Sequence, residues 1–87
     1  MKIQILGTGC PKCKRLEELA RQVADNLGIQ YEIEKIDKVN DILRMGVMMT
    51  PGLAIDGKVL MSGRLPSLTE LTSMITTYLS KLEEGGK

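Results

Sequence analysis

The stretch from Lys2 to Ile36 constrains the fold most, because its pattern predicts a strand, a long helix and a second strand. Ile3 and Ile5 alternate with polar residues at its start, and apolar residues alternate again over residues 30–36. Between these runs, the apolar residues that mark one helix face are Leu16, Leu19, Ala20, Val23 and Leu27. A helix of this length joins parallel strands through a right-handed crossover. The chain is therefore expected to contain a β-α-β unit.

The remainder of the chain predicts a short helix, a hairpin and a closing helix. Asp37 is expected to cap the short helix, which ends at Gly46. Asp56-Gly57 separates two apolar runs and predicts a tight hairpin turn. Ser67 and Glu70 have the spacing of a capping box before the last helix. The apolar positions of that helix are Leu68, Leu71, Ile75, Tyr78, Leu79 and Leu82.

The order of elements, β-α-β-α-β-β-α, predicts an α/β fold. We expect a four-stranded mixed sheet in the order 2-1-3-4, flanked by three helices, with the first and last helices on one face. A chain of 87 residues makes one domain. We assign that domain to residues 1–82 and a flexible tail to residues 83–87. Since the chain has two tyrosines and neither Phe nor Trp, the core is expected to be aliphatic and methionine-rich, with Tyr31 and Tyr78 as packing residues.

Composition argues against several classes of function. A net charge of +1 disfavours a broad nucleic-acid surface. No apolar run approaches the ~20 residues of a membrane span, and the apolar stretch at the N-terminus is too short for a signal peptide. The chain has no histidine, which is the commonest metal ligand, and no metal site is expected. We therefore expect a cytoplasmic protein that contacts neither nucleic acid nor membrane. We also expect it to be a monomer.

The only two cysteines, Cys10 and Cys13, lie where the first strand gives way to the long helix. Helix residues three apart share a face, with about 5–6 Å between Cβ atoms, so a small adjustment of the first turn permits a disulfide. A helix N-terminus stabilises negative charge and lowers the pKa of a thiol placed there. We therefore expect Cys10 to be the exposed nucleophile and Cys13, one turn deeper, to be the resolving thiol. The alternative, a static structural disulfide, is unusual for a lone cysteine pair in the cytosol.

The residues around the cysteines are expected to tune this pair. Gly9 ends a flexible connector, Pro11 suits the first helical turn and stiffens the loop, and Lys12 helps to set the redox potential. Lys14 and Arg15 add positive charge. That charge either favours a nearby thiolate or forms an ordinary solvated helix face.

Together, these features resemble the thioredoxin superfamily, and most of all the small archaeal and bacterial glutaredoxin-like thioredoxins of the redox-active disulfide protein type. The resemblance covers nearly the whole chain and is carried by residues 7–13 (GTGCPKC) and 49–57 (MTPGLAIDG). It implies a thioredoxin-like fold and a protein disulfide oxidoreductase. Its redox-active group would be the Cys10–Cys13 disulfide, with no further cofactor.

The resemblance also implies where substrates bind. It implies a cis Thr50–Pro51 bond beside Cys10, which turns the Thr50 backbone outward to pair with an extended substrate. Substrate contacts are expected at Met49, Thr50, Pro51 and Gly63. Two interpretations, core filler and a pliable apolar rim for docking, are open for Met45, Met48 and Met49. The expected partners are protein disulfides and an electron donor of the thioredoxin reductase type.

Three departures from the superfamily pattern affect the expected chemistry. Gly9 stands where thioredoxins have Trp. Gln4 stands where they bury an aspartate, so the proton acceptor for Cys13 is unassigned. Residues 62–67 replace the Gly-Gly and acidic segment with which glutaredoxins bind glutathione, so the chain lacks that segment, and Arg64 within it is expected to be a surface charge.

Two other functions are alternatives to a thiol–disulfide oxidoreductase. Small copper-carrier domains also place Cys-x-x-Cys between a first strand and a first helix, and two thiolates suit a soft ion such as Cu(I), or zinc. Those domains usually end on a strand, whereas this chain ends on a long predicted helix. The other alternative is a glutathione-dependent glutaredoxin with the same fold.

Overall fold

A computed structural model of the chain describes residues 1–85, with side chains described as far as residue 81. In this part of the chain, the elements follow one another in the predicted β-α-β-α-β-β-α order. The strands are β1 (Lys2–Leu6), β2 (Glu32–Ile36), β3 (Gly52–Ile55) and β4 (Lys58–Ser62). The helices are α1 (Pro11–Leu27), α2 (Val39–Arg44) and α3 (Leu68–Gly85).

Helix α1 begins and ends at capping residues that can be recognised in the sequence. Cys10 caps the N-terminus, because its backbone is extended (ψ 162°) and its Sγ accepts a hydrogen bond from the Cys13 N–H at 3.2 Å. Pro11 follows at a position where no N–H is needed. At the other end, Gly28 adopts a left-handed φ of 69°, which turns the chain away from the helix axis. The helix therefore begins at the cysteine pair, as predicted.

The strands form one mixed sheet in the predicted order β2-β1-β3-β4. β1 runs parallel to β2, and β3 runs antiparallel to both β1 and β4. Asp56 and Gly57 have positive φ angles of 49° and 87°, as the two-residue turn of the hairpin requires. Because β1 lies between β2 and β3, the loop that leaves its C-terminal end, and carries the cysteines, starts from the middle of the sheet.

The two faces of the sheet have separate cores. Ile3 and Ile5 of β1 point towards α1 and α3, whereas Leu6 points towards α2, because successive strand residues face opposite sides. The larger core lies under α1 and α3 and includes Leu16, Leu19, Ala20, Val23, Leu53, Ile55, Leu71, Ile75 and Tyr78. The smaller core consists of Leu6, Ile42, Val47 and Ala54. The first and last helices therefore share a face, as predicted.

The tyrosines pack in the core as predicted, but the core is not rich in methionine. Tyr78 is buried in the larger core and Tyr31 packs against it, so both tyrosines are packing residues, as predicted. Methionines pack at the margins of the two cores rather than within them. Apart from Tyr78 and Cys13, the buried hydrophobic side chains of the described residues are aliphatic.

Two local predictions differ from the structure. β2 begins at Glu32 rather than at residue 30, because the parallel ladder with β1 starts at the pair Lys2 and Glu32. The prediction that Asp37 caps α2 is wrong. Lys38 occupies the capping position, with an extended backbone and no side-chain hydrogen bond to the helix. Asp37 lies one residue too early, and its side chain lines a cleft described below.

The N-terminus of α3 has the predicted capping box. Ser67 Oγ accepts a hydrogen bond from the Glu70 N–H at 3.1 Å, and Glu70 Oε1 accepts one from the Ser67 N–H at 3.3 Å. The helix continues to Gly85, beyond the predicted end of the domain at Leu82. Residues 86 and 87 of the predicted tail lie outside the described residues, and the domain boundary stays a prediction.

Candidate active site

The cysteine pair lies at the N-terminus of α1. Cys10 and Cys13 form a disulfide with Cα atoms 5.0 Å apart, within the usual range of about 4.4–6.8 Å. Cys13 is 4% exposed, whereas Cys10 is only half-buried. The first turn of α1 contains no acidic residue, and its free N–H groups favour negative charge on the capping sulfur. Cys10 is therefore the sulfur that a large substrate reaches more easily.

The loop residues predicted at the site surround this pair. All three are exposed: Gly9, Pro11 and Lys12. Gly9 has a φ of 89°, in the left-handed region that favours glycine. Arg15 pairs with Glu18 at 3.9 Å, and both side chains are well exposed, so this ion pair is a weak surface contact. Arg15 therefore belongs to the solvated helix face rather than to the cysteine site.

Gly7 packs against the disulfide more closely than a connector residue would. A Cβ built on Gly7 would overlap Cys13 Sγ and would lie 3.2 Å from Cys13 Cβ and 3.7 Å from Thr50 Cβ. Its N–H donates a hydrogen bond to the Ile36 carbonyl at 2.9 Å. Gly7 thus lets the backbone pass between the buried cysteine and the Thr50 loop. The sequence indicated only a flexible connector here, because nothing local distinguishes a close-packed glycine from a loop glycine.

The Thr50–Pro51 segment lies on the other side of Gly7. Its peptide bond is cis, as the resemblance implied. Pro51 is buried and Thr50 is exposed. The Gly63 N–H donates a hydrogen bond to the Pro51 carbonyl at 2.9 Å, and a Cβ on Gly63 would lie 3.5 Å from Met49 Cβ. The four predicted substrate-binding residues therefore form one cluster, which is joined to the cysteine loop through Gly7.

The three methionines near this segment divide between core and surface. Met45 is half-buried and packs against the smaller core. Met48 and Met49 are 88% and 68% exposed. Met48 also lines a shallow cleft of ≈ 180 Å³ with the apolar α2 residues Val39 and Leu43. The rim interpretation therefore suits Met48 and Met49, and the core interpretation suits Met45.

A second, larger cleft reaches Cys13 but not Cys10. We call it the Cys13 cleft; its volume is ≈ 240 Å³, and Ile5 and Gly7 form part of its wall. Its charged lining residues are Lys14, Glu17, Lys35 and Asp37. None of these residues belongs to a sequence motif that predicts a role in proton transfer.

Glu17 is the most enclosed charged residue of the Cys13 cleft, with 16% of its side chain exposed. Its Oε1 lies 3.0 Å from Lys35 Nζ, and its Oε2 lies 3.0 Å from an Arg21 guanidinium nitrogen. The hydrogen bond from Lys35 holds the pKa of Glu17 below its usual value, and Arg21 adds to this, whereas burial acts in the opposite direction. The only sequence signal for Glu17 is its position four residues after Cys13, on the same helix face.

Gln4, the residue at the position of the missing aspartate, is engaged elsewhere. It lies on the opposite sheet face from Ile3 and Ile5. Its side-chain nitrogen donates to Glu34 Oε1 and its side-chain oxygen accepts from the Gly57 N–H, both at 2.8 Å. Gln4 therefore ties β1 to β2 and to the hairpin turn.

Comparison with known proteins agrees with this geometry. Residues 1–76 match the family model described as thioredoxin domain. Over 76 residues, the chain is 45% identical to a thioredoxin of Methanothermobacter thermautotrophicus, covering 87% of this chain and 99% of that one. The chain belongs to the thioredoxin family. A thioredoxin of Methanocaldococcus jannaschii is 40% identical over 77 residues, which cover 88% of each chain.

The fold of this thioredoxin has a solved counterpart. Thioredoxin 1 from the thermophilic eubacterium Thermosipho africanus superposes with a TM-score of 0.63 over the full length of both chains, at 24% identity. Family membership makes the chain a thiol–disulfide oxidoreductase, because thioredoxins are protein disulfide oxidoreductases. Cys10 and Cys13 are its only cysteines. The superfamily resemblance and the fold class predicted from the sequence are thus confirmed.

The described residues contain neither a metal-ligand cluster nor a membrane-spanning helix. Among the side chains of residues 1–81, no three from His, Cys, Asp or Glu are grouped so that they could hold a metal ion. In the same part of the chain, no helix combines the length and the apolar character needed to cross a lipid bilayer.

Proposed function

We propose that this thioredoxin reduces disulfide bonds of other proteins with a Cys10–Cys13 dithiol. The observation that carries the proposal is the pairing of a half-buried Cys10, at the helix N-terminus, with a Cys13 that is 4% exposed. The Cys10 thiolate attacks a substrate disulfide, whose S–S bond breaks, and one substrate sulfur leaves as a thiolate. Cys13 then attacks Cys10 Sγ, releases the second substrate sulfur and closes the Cys10–Cys13 disulfide. Two electrons thereby pass from the dithiol to the substrate.

Substrate recognition is assigned to the cluster beside the cysteine loop. Thr50 is exposed and offers its backbone to an extended substrate segment, with Pro51 and Gly63 holding that loop in place. Met48 and Met49 supply exposed, flexible apolar surface that adapts to different protein partners. This assignment is supported by the packing of Gly7 between Thr50 and Cys13.

The reaction cycle requires a source of electrons. Each turnover leaves the Cys10–Cys13 disulfide oxidised, so a reductant must restore the dithiol. We assign this role to an electron donor of the thioredoxin reductase type, acting on a monomeric thioredoxin in the cytoplasm. Glutathione is a poorer candidate, because Arg64, in the segment that glutaredoxins use, pairs with Glu70 at 2.8 Å.

Insulin reduction tests the proposed function. With dithiothreitol as the electron source, wild-type protein is expected to accelerate precipitation of the insulin B chain, and Cys10→Ser is expected to abolish the acceleration. Cys13→Ser, the matched control, retains the attacking thiol; when it is reduced first and then mixed with insulin after the dithiothreitol has been removed, it is expected to accumulate a covalent adduct with insulin. Inactive wild-type protein, or an active Cys10→Ser variant, would contradict the proposal.

A further inference from the structure

The proposed reaction requires a proton acceptor for Cys13. A thiol attacks a disulfide only after it has lost its proton, because the thiolate is the nucleophile. Cys13 is 4% exposed, so bulk water has little access to its sulfur. Gln4 lies on the other face of the sheet, and its side chain is hydrogen-bonded to Glu34 and to the Gly57 N–H. An acceptor must therefore come from the Cys13 cleft.

Glu17 has the position that such an acceptor needs. It follows Cys13 by one helical turn, and residues with this spacing are neighbours on a helix surface. Both side chains line the Cys13 cleft, whose volume of ≈ 240 Å³ is sufficient for water molecules that relay a proton. Because only 16% of the Glu17 side chain is exposed, it is better protected from bulk solvent than the exposed Asp37.

The charged groups around Glu17 come from two elements. From α1, Lys14 lines the cleft and Arg21 contacts Glu17 Oε2. From β2 and the residue that follows it, Lys35 contacts Glu17 Oε1 at 3.0 Å and Asp37 lines the cleft. β1 and the loop after it contribute Ile5 and residues 7–9, none of which titrates. Lys35 is therefore the cation that lies in the cleft and also contacts Glu17.

We propose that Glu17 accepts the Cys13 proton through water in the cleft, and that Lys35 compensates the charge. This inference rests on the proposed function. The Cys13 S–H bond breaks and its proton passes to the Glu17 carboxylate. The Cys13 thiolate attacks Cys10 Sγ, a Cys10–Cys13 bond forms, and the bond from Cys10 to the substrate sulfur breaks. The substrate sulfur leaves with the electron pair as a thiolate, and Glu17 releases its proton to the solvent, which restores the carboxylate.

Lys35 acts as a positioning residue in this step. Before the transfer, its ammonium group balances the Glu17 carboxylate at 3.0 Å. After the transfer, Glu17 is neutral and the same ammonium group faces the new thiolate across the cleft. The net charge of the cleft is thus unchanged, because the negative charge moves from Glu17 to Cys13, and both residues line the cleft together with Lys35.

Stopped-flow reaction with the aromatic disulfide dithiobis(nitrobenzoate) separates the two cysteine steps. Attack by Cys10 releases the first thionitrobenzoate, and attack by Cys13 on the mixed disulfide releases the second. In Glu17→Gln, the first release is expected to be unchanged, while the second slows about tenfold or more at neutral pH. This effect lies below the 10²–10⁴-fold typical of general acid–base catalysis, since Lys35 makes Glu17 a weak base. Glu17→Asp, which retains a carboxylate, is expected to recover part of the rate.

The pH profile distinguishes proton transfer from a structural effect. Without Glu17, the rate of the second release should rise about tenfold per pH unit below the thiol pKa, because free thiolate must form first, whereas wild-type protein shows a flatter profile. Glu18→Gln makes the same charge change one residue away, on the exposed face, and should match wild type.

Two outcomes would overturn the role of Glu17. One is equal rates and pH profiles for the second release in wild type and Glu17→Gln. The other is equal slowing in Glu17→Gln and Glu18→Gln. Failure of the wild-type protein to show the first release would instead contradict the proposed function, and the role of Glu17 would fall with it.

Discussion

Replacing Gly7 with alanine is predicted to lower the unfolding free energy of the oxidised protein more than that of the reduced protein. The added Cβ would overlap Cys13 Sγ and lie 3.2 Å from Cys13 Cβ. In the disulfide, this sulfur is held by its bond to Cys10 and does not turn away. In the dithiol, the Cys13 side chain is free to rotate about χ1. The steric cost therefore falls mainly on the oxidised form.

The size of the effect follows from the cost of overpacking. Forcing an extra methyl group into a packed site costs about 1–3 kcal/mol. The entropy that alanine removes from the unfolded chain is the same in both redox forms, so it cancels in their difference. For a two-electron couple, about 1.4 kcal/mol corresponds to about 30 mV. If the added methyl group clashes with Cys13 Sγ only in the oxidised form, the redox potential of Gly7→Ala should rise by about 20–65 mV.

Urea unfolding of the two redox forms, together with equilibration in redox buffers, measures both quantities. Gly28→Ala is the control, because Gly28 has a left-handed φ of 69° and no neighbouring atom within 4 Å of a built Cβ. Strain at that position should destabilise both forms equally and leave the potential unchanged. Equal destabilisation of the two forms by Gly7→Ala, with an unchanged potential, would refute the reasoning.

Three further predictions concern the cap of α3, the ion pair at Glu17 and the redox potential. Ser67→Ala should lower the unfolding free energy by about 0.5–2 kcal/mol in urea denaturation, whereas Ser73→Ala on the exposed helix surface should change it little. The folded-state pKa of Glu17 is lowered, so its stabilising contribution is present above its unfolded pKa and is lost as pH falls through the folded value. The difference in unfolding free energy between wild type and Glu17→Gln should thus be constant near neutral pH and shrink in acid. A difference that grows in acid would contradict a lowered pKa of Glu17 in the folded state. The redox potential measured against glutathione should lie at roughly −270 to −200 mV, between those of thioredoxins and glutaredoxins, and a value near −120 mV would indicate an oxidant.

Features that depend on local pattern were predictable from the sequence. The β-α-β unit follows from spacing within one segment, the hairpin from Asp56-Gly57, and the start of α3 from Ser67 and Glu70. The cysteine pair was predictable for the same reason, since its spacing and its position at a helix start are both local. Asp37 failed as a cap because a shift of one residue changes which side chain reaches the helix end.

Features that depend on contacts between distant segments were not predictable in this way. Glu17 and Lys35 come from α1 and β2, and nothing in either segment indicates that the two side chains meet beside Cys13. Gly7 has the sequence context of a loop glycine, and its contact with Cys13 Sγ arises only when the helix packs on the sheet. The proton acceptor and the close packing at the disulfide therefore required the three-dimensional structure.

The division of roles between the two cysteines is tested most directly by alkylation of the reduced protein. Iodoacetamide is added at a series of pH values, and mass spectrometry identifies which cysteine is modified first. Cys10, half-buried at the N-terminus of α1, is predicted to be labelled first at neutral pH, and Cys13, which is 4% exposed, is predicted to follow slowly. Faster labelling of Cys13 at neutral pH would contradict the assignment of Cys10 as the nucleophile.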